Sequence, residues 1–311
     1  MINNLDKLTI IINSCDKYED CWLPFFKLFN KFGCDLKNCK MILNTETKIF
    51  KYENLNIHCL ALYKKDQDIP WGKRLRDTID HVNTDYILML LDDFFLHREV
   101  DIKVINNCIE WLDKNENTGM FNLLYLKGAE TESKDFNGFC LIPTGTAFRL
   151  NAQAGIWKKE ILKKSILDME SPWEWERFGN MRNDIVIKQE VYSLKKDAYE
   201  PYFYNYYPAV ISGIMRGKWA VSHIDPLFKK YGIFIDYSIR GEYIQKPPHI
   251  SWYKKLLKRL KENNVIFYII IKYSTLPLIF IRRTIIDINE ISKIEKKKKI
   301  LVYPYIFSGK N

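Results

Sequence analysis

The hydrophobic positions fall into short unbroken runs, separated by longer stretches in which apolar residues recur every three or four positions. Residues 8–12 (Leu-Thr-Ile-Ile-Ile) are a β-branched run closed by the polar pair Asn13-Ser14, the pattern of a strand buried on both faces. Residues 19–32 carry Trp22, Phe25, Phe26 and Phe29 at helical spacing, with Pro24 early enough for a first turn. Residues 40–43 and 55–60 read as two more strands, and 73–82 as a helix. Residues 86–91 (Tyr-Ile-Leu-Met-Leu-Leu) form an apolar strand that stops abruptly at Asp92-Asp93. A helix with an apolar stripe over 102–112 and a strand over 120–124 follow. Strands separated by helices predict an α/β fold with a mostly parallel sheet flanked by helices. The second half is less regular. Residues 139–150 predict a strand pair turning at Pro143-Thr144-Gly145, 156–167 a helix, 171–176 an aromatic–acidic segment and 202–211 a tyrosine-rich, β-like stretch. No period of 20–50 residues repeats, which excludes solenoids and propellers.

Charge divides the chain. The 311 residues hold 48 Lys+Arg against 38 Asp+Glu, a net charge of +10. Residues 251–311 hold 14 Lys+Arg and four Asp+Glu, so the whole excess sits in the tail and the first 250 residues are neutral. The expected domains are therefore 1–245 and a basic, apolar C-terminal helical extension over 246–311. Residues 252–261 are a basic amphipathic helix candidate. Residues 265–281 are apolar apart from Lys272, Ser274 and Thr275, are interrupted by Pro277, and fall short of the roughly 20 residues of a spanning helix. Lys296–Lys299 add four consecutive cations. This pattern predicts peripheral association with an anionic membrane surface. The competing readings are a helical cap on the body and a partner-binding helix pair. The tail is too apolar for an electrostatic nucleic-acid arm, so nucleic acid is not an expected partner.

The seven cysteines include no Cys-x-x-Cys pair, and the first 20 residues carry Asp6, Lys7, Asp16, Lys17, Glu19 and Asp20 without a cleavable apolar core. The expectation is a cytoplasmic protein with reduced thiols, held at the inner face of the plasma membrane. P-loop, nucleophile-elbow, Gly-x-Gly-x-x-Gly and His-Glu-x-x-His signatures are missing, and the five histidines show no metal-ligand spacing.

Ligands of open α/β sheets bind beyond the carboxyl ends of the strands, so the polar residues that close strands are the first candidates. Asp92 and Asp93 are two adjacent carboxylates after a buried strand. They would repel each other unless a cation meets them, and a Mg²⁺ or Mn²⁺ ion bridging a diphosphate answers that need. Asn13, Ser14 and Asp16 close the first strand, and Asn44 and Glu46 the next. Singly these are turn chemistry. Lys73, Arg74 and Arg76, on the helix preceding the Asp-Asp strand, could neutralise a diphosphate, although each could equally be a solvated charge. In Trp173-Glu174-Trp175-Glu176 a carboxylate beside indole rings would be partly desolvated, which raises its pKa towards that of a general base. The alternative is an amphipathic turn with both tryptophans in the core.

Taken together, these residues resemble glycosyltransferases of the GT-A fold, in particular the large inverting family that builds bacterial surface polysaccharides. The resemblance covers roughly residues 7–225. It implies that Asn13, Ser14, Asp16, Asn44, Lys73, Arg74 and Asp92 contact a nucleotide-sugar donor, a UDP-sugar foremost, and that Asp93 with Asp92 holds the divalent metal. Residues 149–157 resemble the acceptor-side loop, which implies acceptor contacts from Gln153, Trp173 and Trp175. Trp173–Glu176 stand where the family has its catalytic base, which implies Glu176 or Glu174. The motif here is Asp-Asp-Phe where the family has Asp-x-Asp, and Glu-Trp-Glu where it has Glu-Asp. The implied acceptor is a glycan or lipid-linked glycan of capsule, O-antigen or lipooligosaccharide. The rivals are a sugar nucleotidyltransferase and a non-catalytic, membrane-associated glycan-binding adaptor of the same fold.

Overall fold

The computed structural model describes residues 4–65, 67–195, 206–207 and 213–244. The chain divides into two compact units, Met1–Ile244 and Gln245–Asn311, and every described residue belongs to the first. The basic and apolar segments of the tail, and residues 202–211 apart from Tyr206–Tyr207, lie outside the described residues.

Among the described residues nine strands form one sheet, while β5 (Phe95–Leu96) pairs outside it with Tyr206–Tyr207. The first half of the sheet is parallel: β3 (Ile57–Cys59), β2 (Lys40–Asn44), β1 (Leu8–Asn13) and β4 (Tyr86–Leu91). β9 (Gly155–Lys158) is inserted antiparallel between β4 and β6 (Thr118–Tyr125), and β10 (Glu190–Leu194) resumes the parallel direction beside β6. Two short antiparallel strands, β8 (Phe139–Leu141) and β7 (Thr131–Glu132), close that edge. The sheet is thus mixed and mostly parallel, with helices on both faces.

The alternation of side chains along each strand divides the core in two. Ile10, Ile12, Leu88 and Leu90 face a cluster built with α1 (Glu19–Phe32) and α3 (Ile102–Lys114), while Ile11, Ile87 and Met89 face one built with α2 (Trp71–Asp80) and α4 (Lys159–Ser165). Burial on both faces explains why these strands are unbroken apolar runs. α1 buries its aromatic stripe of Trp22, Phe25, Phe26 and Phe29 against the sheet, as its spacing predicts.

The main departure from the sequence pattern is at residues 156–167. The first part is strand β9, and only Lys159–Ser165 is helical. Gly155 lies so close to β6 that a Cβ would come within 2.5 Å of Met120 Cε. Ile156 and Trp157 are fully buried on opposite faces, a two-residue period too short to stand out from the helix that follows. Residues 139–150 also differ from the expected hairpin: only Phe139–Leu141 is strand, pairing with β10 and β7, and the chain beyond it is a loop.

Candidate functional site

The parallel register aligns the carboxyl ends of three neighbouring strands. Asn13 of β1 is level with Asn44 of β2 and Leu91 of β4. Asn44 Nδ2 donates to Asn13 Oδ1 at 3.2 Å, so two of the candidate donor contacts are each other's partners. Beyond them the chain ends are laced together. Asp16 accepts from Glu46 N (3.0 Å), Thr47 N (3.0 Å) and Thr47 Oγ1 (2.6 Å), while Asp16 N donates to Glu46 Oε2 at 2.5 Å. Burial alone would raise the Asp16 carboxyl, but these donors outweigh it and hold it below the ordinary carboxylate range. Asp16 thus shapes the rim through these bonds.

Asp92 is buried, only 3% exposed, whereas Asp93 is half-buried. The Asp92 carboxylate accepts from the hydroxyl of Ser14, and that same oxygen accepts from the indole Nε1 of Trp22 at 2.7 Å. A chain of Trp22, Ser14 and Asp92 thus runs from the α1 core to the end of β4. Ser14, expected as a donor contact, is spent on positioning this carboxylate. Burial and the adjacent Asp93 push the Asp92 carboxyl well up, and the Ser14 bond offsets part of the rise. Tyr18 nearby is pushed up to about 12 by burial and by Asp93 and Asp92.

A buried carboxylate beside a second, more open one fits a hard divalent cation, which would relieve their repulsion. Among the described residues no three His, Cys, Asp or Glu side chains cluster as a metal site. The residues that would hold it are Asp93, with Asp92 behind it, and the ion would supply positive charge at this sheet edge.

The three cations of α2 have separate jobs. Arg74 is buried, donates from Nη1 to Ser14 O at 2.9 Å and pairs with Glu46 at 3.2 Å, so it alone reaches the strand ends. Lys73 pairs with Asp77 one turn along its own helix. Arg76 binds Asp168, Lys163 O and Ile166 O and fastens α2 to the segment after α4. A cation that the sequence pattern did not single out acts on the carboxylates from another element. Arg240, at the end of the short helix Tyr237–Arg240, pairs with Asp20, lies 4.5 Å over the Tyr18 ring, and counteracts the rise at Asp92. It is far away in the chain, and nothing in its neighbourhood marks it.

The antiparallel β9 brings the other half of the site to the same edge. Gly155 is level with Met89, so residues 149–154 lie beside the end of β4. This loop is held by a helical run over 172–187, in which α-helical turns (Pro172–Glu174 and Asn180–Arg182) alternate with π-helical ones (Trp175–Gly179 and Asn183–Ile187). In a pure α-helix, four residues overshoot one turn by about 40°. Here the wider π turns keep residues four apart in line. One ridge faces the loop: Glu176 Oε1 accepts from Ala152 N (3.0 Å), Asn180 donates to Thr146 O (2.8 Å), and Asp184 pairs with buried Arg149 (2.7 Å) and accepts from Gly145 N (2.8 Å). The next ridge, Trp175, Gly179 and Asn183, is buried.

Glu176 is the carboxylate of this run that the fold leaves adjacent to the loop and partly open. Burial pushes its carboxyl up, offset in part by the Ala152 N–H. Glu174 instead closes a capping box: its carboxylate accepts from Ser171 N (2.8 Å) and Ser171 Oγ (2.7 Å), which assigns it to starting the helix. Trp175, expected at the acceptor, is a core residue between Trp71 and Trp157 with its indole donating to Ser165 Oγ at 3.1 Å, so neither face is free. Trp173, also expected at the acceptor, is 78% exposed on the ridge opposite buried Trp175, away from the Glu176 ridge that faces the loop. Gln153 is half-buried beside Ala152, with its N–H donating to Asn151 Oδ1 at 3.0 Å.

No protein-family model and no curated protein sequence matches this chain. Similar solved structures include a mannosyltransferase from Pyrobaculum calidifontis in complex with GDP-Man and Mn²⁺, at 9% identity and TM-score 0.44, covering 88% of this chain and 80% of that one. TarS 1–349 of S. aureus in complex with UDP-GlcNAc is similar at 10% identity and TM-score 0.43, covering 63% of this chain and 57% of that one. The chain spans 59% of the TarS 1–349 structure solved without a named ligand. At these identities and scores, donor, acceptor and catalytic residues do not transfer.

Proposed function

We propose that the chain is a metal-assisted, inverting glycosyltransferase of the GT-A type. It moves a sugar from a nucleotide-sugar donor to a glycan or lipid-linked glycan acceptor, as in building a bacterial surface polysaccharide. The observation that carries this reading is the sheet edge itself. The Asp92–Asp93 pair closes β4, and the antiparallel β9 brings the loop that anchors Glu176 alongside it. The base and ribose would lie over Asn13 and Asn44, with Arg74 behind them. Asp93, backed by Asp92, would hold a Mn²⁺ or Mg²⁺ ion, which when bound neutralises the leaving nucleoside diphosphate.

Glu176 removes the proton of the acceptor hydroxyl as that oxygen bonds to the anomeric carbon. The bond from that carbon to the diphosphate oxygen breaks in the same step, and attack opposite the leaving group inverts the centre. Arg240 contributes positive potential beside the carboxylate pair. The catalytic work belongs to residues 1–245, at the cytoplasmic side of a membrane held by residues 246–311.

The test is a thermal-shift panel of UDP, GDP and other nucleoside diphosphates with and without Mn²⁺, followed by transfer assays. The expected result is stabilisation by one diphosphate that needs the metal and disappears in Asp93→Asn. Glu176→Gln should keep that stabilisation and lose transfer. Stabilisation by no nucleotide, or full transfer by both variants, would remove the catalytic reading in favour of the adaptor.

A further inference from the structure

The helical run over 172–187 has an outer ridge that the site does not use. With residues four apart aligned, Trp173, Arg177, Met181 and Ile185 form a single line on the side away from Trp175, Gly179 and Asn183. All four are exposed: Trp173 by 78%, Met181 by 53% and Ile185 by 66%, with Val186 beside them at 73%. Phe148, 62% exposed, adjoins Arg149 in the loop that Asp184 and Asn180 hold against the same run. Large apolar side chains grouped in this way mark an interaction surface.

The charges are sorted as well. Every acid of the run has a partner: Glu174 caps Ser171, Glu176 accepts from Ala152, and Asp184 pairs with Arg149. The exposed cations Arg177 and Lys188 have no ion-pair partner among the described residues. The outer ridge of Trp173, Arg177, Met181 and Ile185 therefore carries no acid and one cation, with Lys188 following it. A helix of that composition, with a tryptophan at one end, suits the boundary between anionic headgroups and acyl chains. A second copy of this chain would offer the same cations to each other and repel.

We propose that this ridge lies on an anionic phospholipid bilayer, in the interface plane, through Trp173, Met181, Ile185 and Val186 with Arg177 and Lys188 at the headgroups. Because Glu176 sits on the adjoining ridge, the surface would also set the base beside a membrane-linked acceptor. This consequence rests on the glycosyltransferase reading, whereas the docking itself does not.

The experiment is co-sedimentation of the full chain with vesicles of phosphatidylglycerol and phosphatidylcholine, and with phosphatidylcholine alone. Wild type should bind the anionic vesicles and not the neutral ones. Trp173→Ser combined with Ile185→Asp should weaken that binding by about tenfold or more, and Arg177→Glu with Lys188→Glu should do the same. Both pairs are exposed and should leave the circular dichroism and any nucleotide-dependent thermal shift as in wild type. Vesicle binding equal to wild type in both variants would overturn the proposal by assigning attachment to residues 246–311 alone. Wild type that ignores anionic vesicles, or that sediments as a dimer dissolved by the Ile185→Asp substitution, would overturn it too. Since sedimentation reads no chemistry, its failure would leave the catalytic reading standing.

Discussion

The two halves of the candidate site are built on opposite plans. On the β1–β2–β4 side, functional groups sit on parallel strand ends and hold one another directly: Asn44 to Asn13, Ser14 to Asp92, Asp16 to the Glu46–Thr47 turn. On the β9 side, one helical run holds a loop through a row of side chains four apart, and Glu176 is a member of that row. The first plan suits rigid recognition of a donor. The second ties the candidate base to the stability of a single helix, so changes in that helix should reach the chemistry while changes at the strand ends should reach binding.

The largest effect that tests this division is Glu176→Gln. Removal of a general base should cut kcat by about 10²–10⁴-fold and leave donor KM near wild type. A fall confined to donor KM would mean that the two halves are not separate. Asp184→Asn comes next. It leaves Arg149, only 5% exposed at the side chain, without its charged partner, and breaking such a buried pair costs about 3–5 kcal/mol. The loss should appear in chemical denaturation. If the run governs the base, kcat of the surviving folded protein should fall while metal-dependent nucleotide binding persists.

Ser14→Ala addresses the other half. It strands the Trp22 indole N–H and removes a donor from buried Asp92, at a cost of about 1–3 kcal/mol. Its functional mark should be weaker metal-dependent nucleotide binding with little change in kcat. Gly179→Ala is a comparable perturbation on the helix. Its Cβ would meet the Trp175 ring at 2.6 Å and Ser165 O at 2.9 Å, an overpacking that costs about 1–3 kcal/mol. Here the expected mark is on kcat.

The same contrast explains what was legible in the sequence. β1, α1, β2 and β4 stand out because both-face burial demands unbroken apolar runs and a helix against them demands a stripe. The polar residues at their ends could then be named without a structure. What could not be read is how those residues are used. Ser14 and Asp92 are 78 positions apart, and the bond between them, like the one from Trp22 to Ser14, depends on the strand order. On the other side the local pattern misleads. Trp173 and Trp175 look equivalent, yet one is exposed and the other is core, because Pro172 and the Ser171–Glu174 cap set the phase of the helix. The π turns then carry that phase forward every four residues, a period absent from the usual helical and strand templates.

The smallest expected effect is also the sharpest test of Glu176, because activity and stability should move in opposite directions with pH. Burial raises its folded-state pKa above the unfolded value, with the Ala152 N–H offsetting part of the rise. Between those two values the folded chain holds a proton that the unfolded chain has released. Stability therefore falls as pH rises through that window, and its favourable contribution is complete only below the unfolded pKa. The base form of Glu176 increases over the same window, so the acid limb of kcat should rise at a pH above the ordinary carboxylate range. Glu176→Gln should flatten both trends together. If the stability trend flattened and the residual activity kept its acid limb, Glu176 would be a buried carboxylate of the helix and the base would lie elsewhere on this sheet edge.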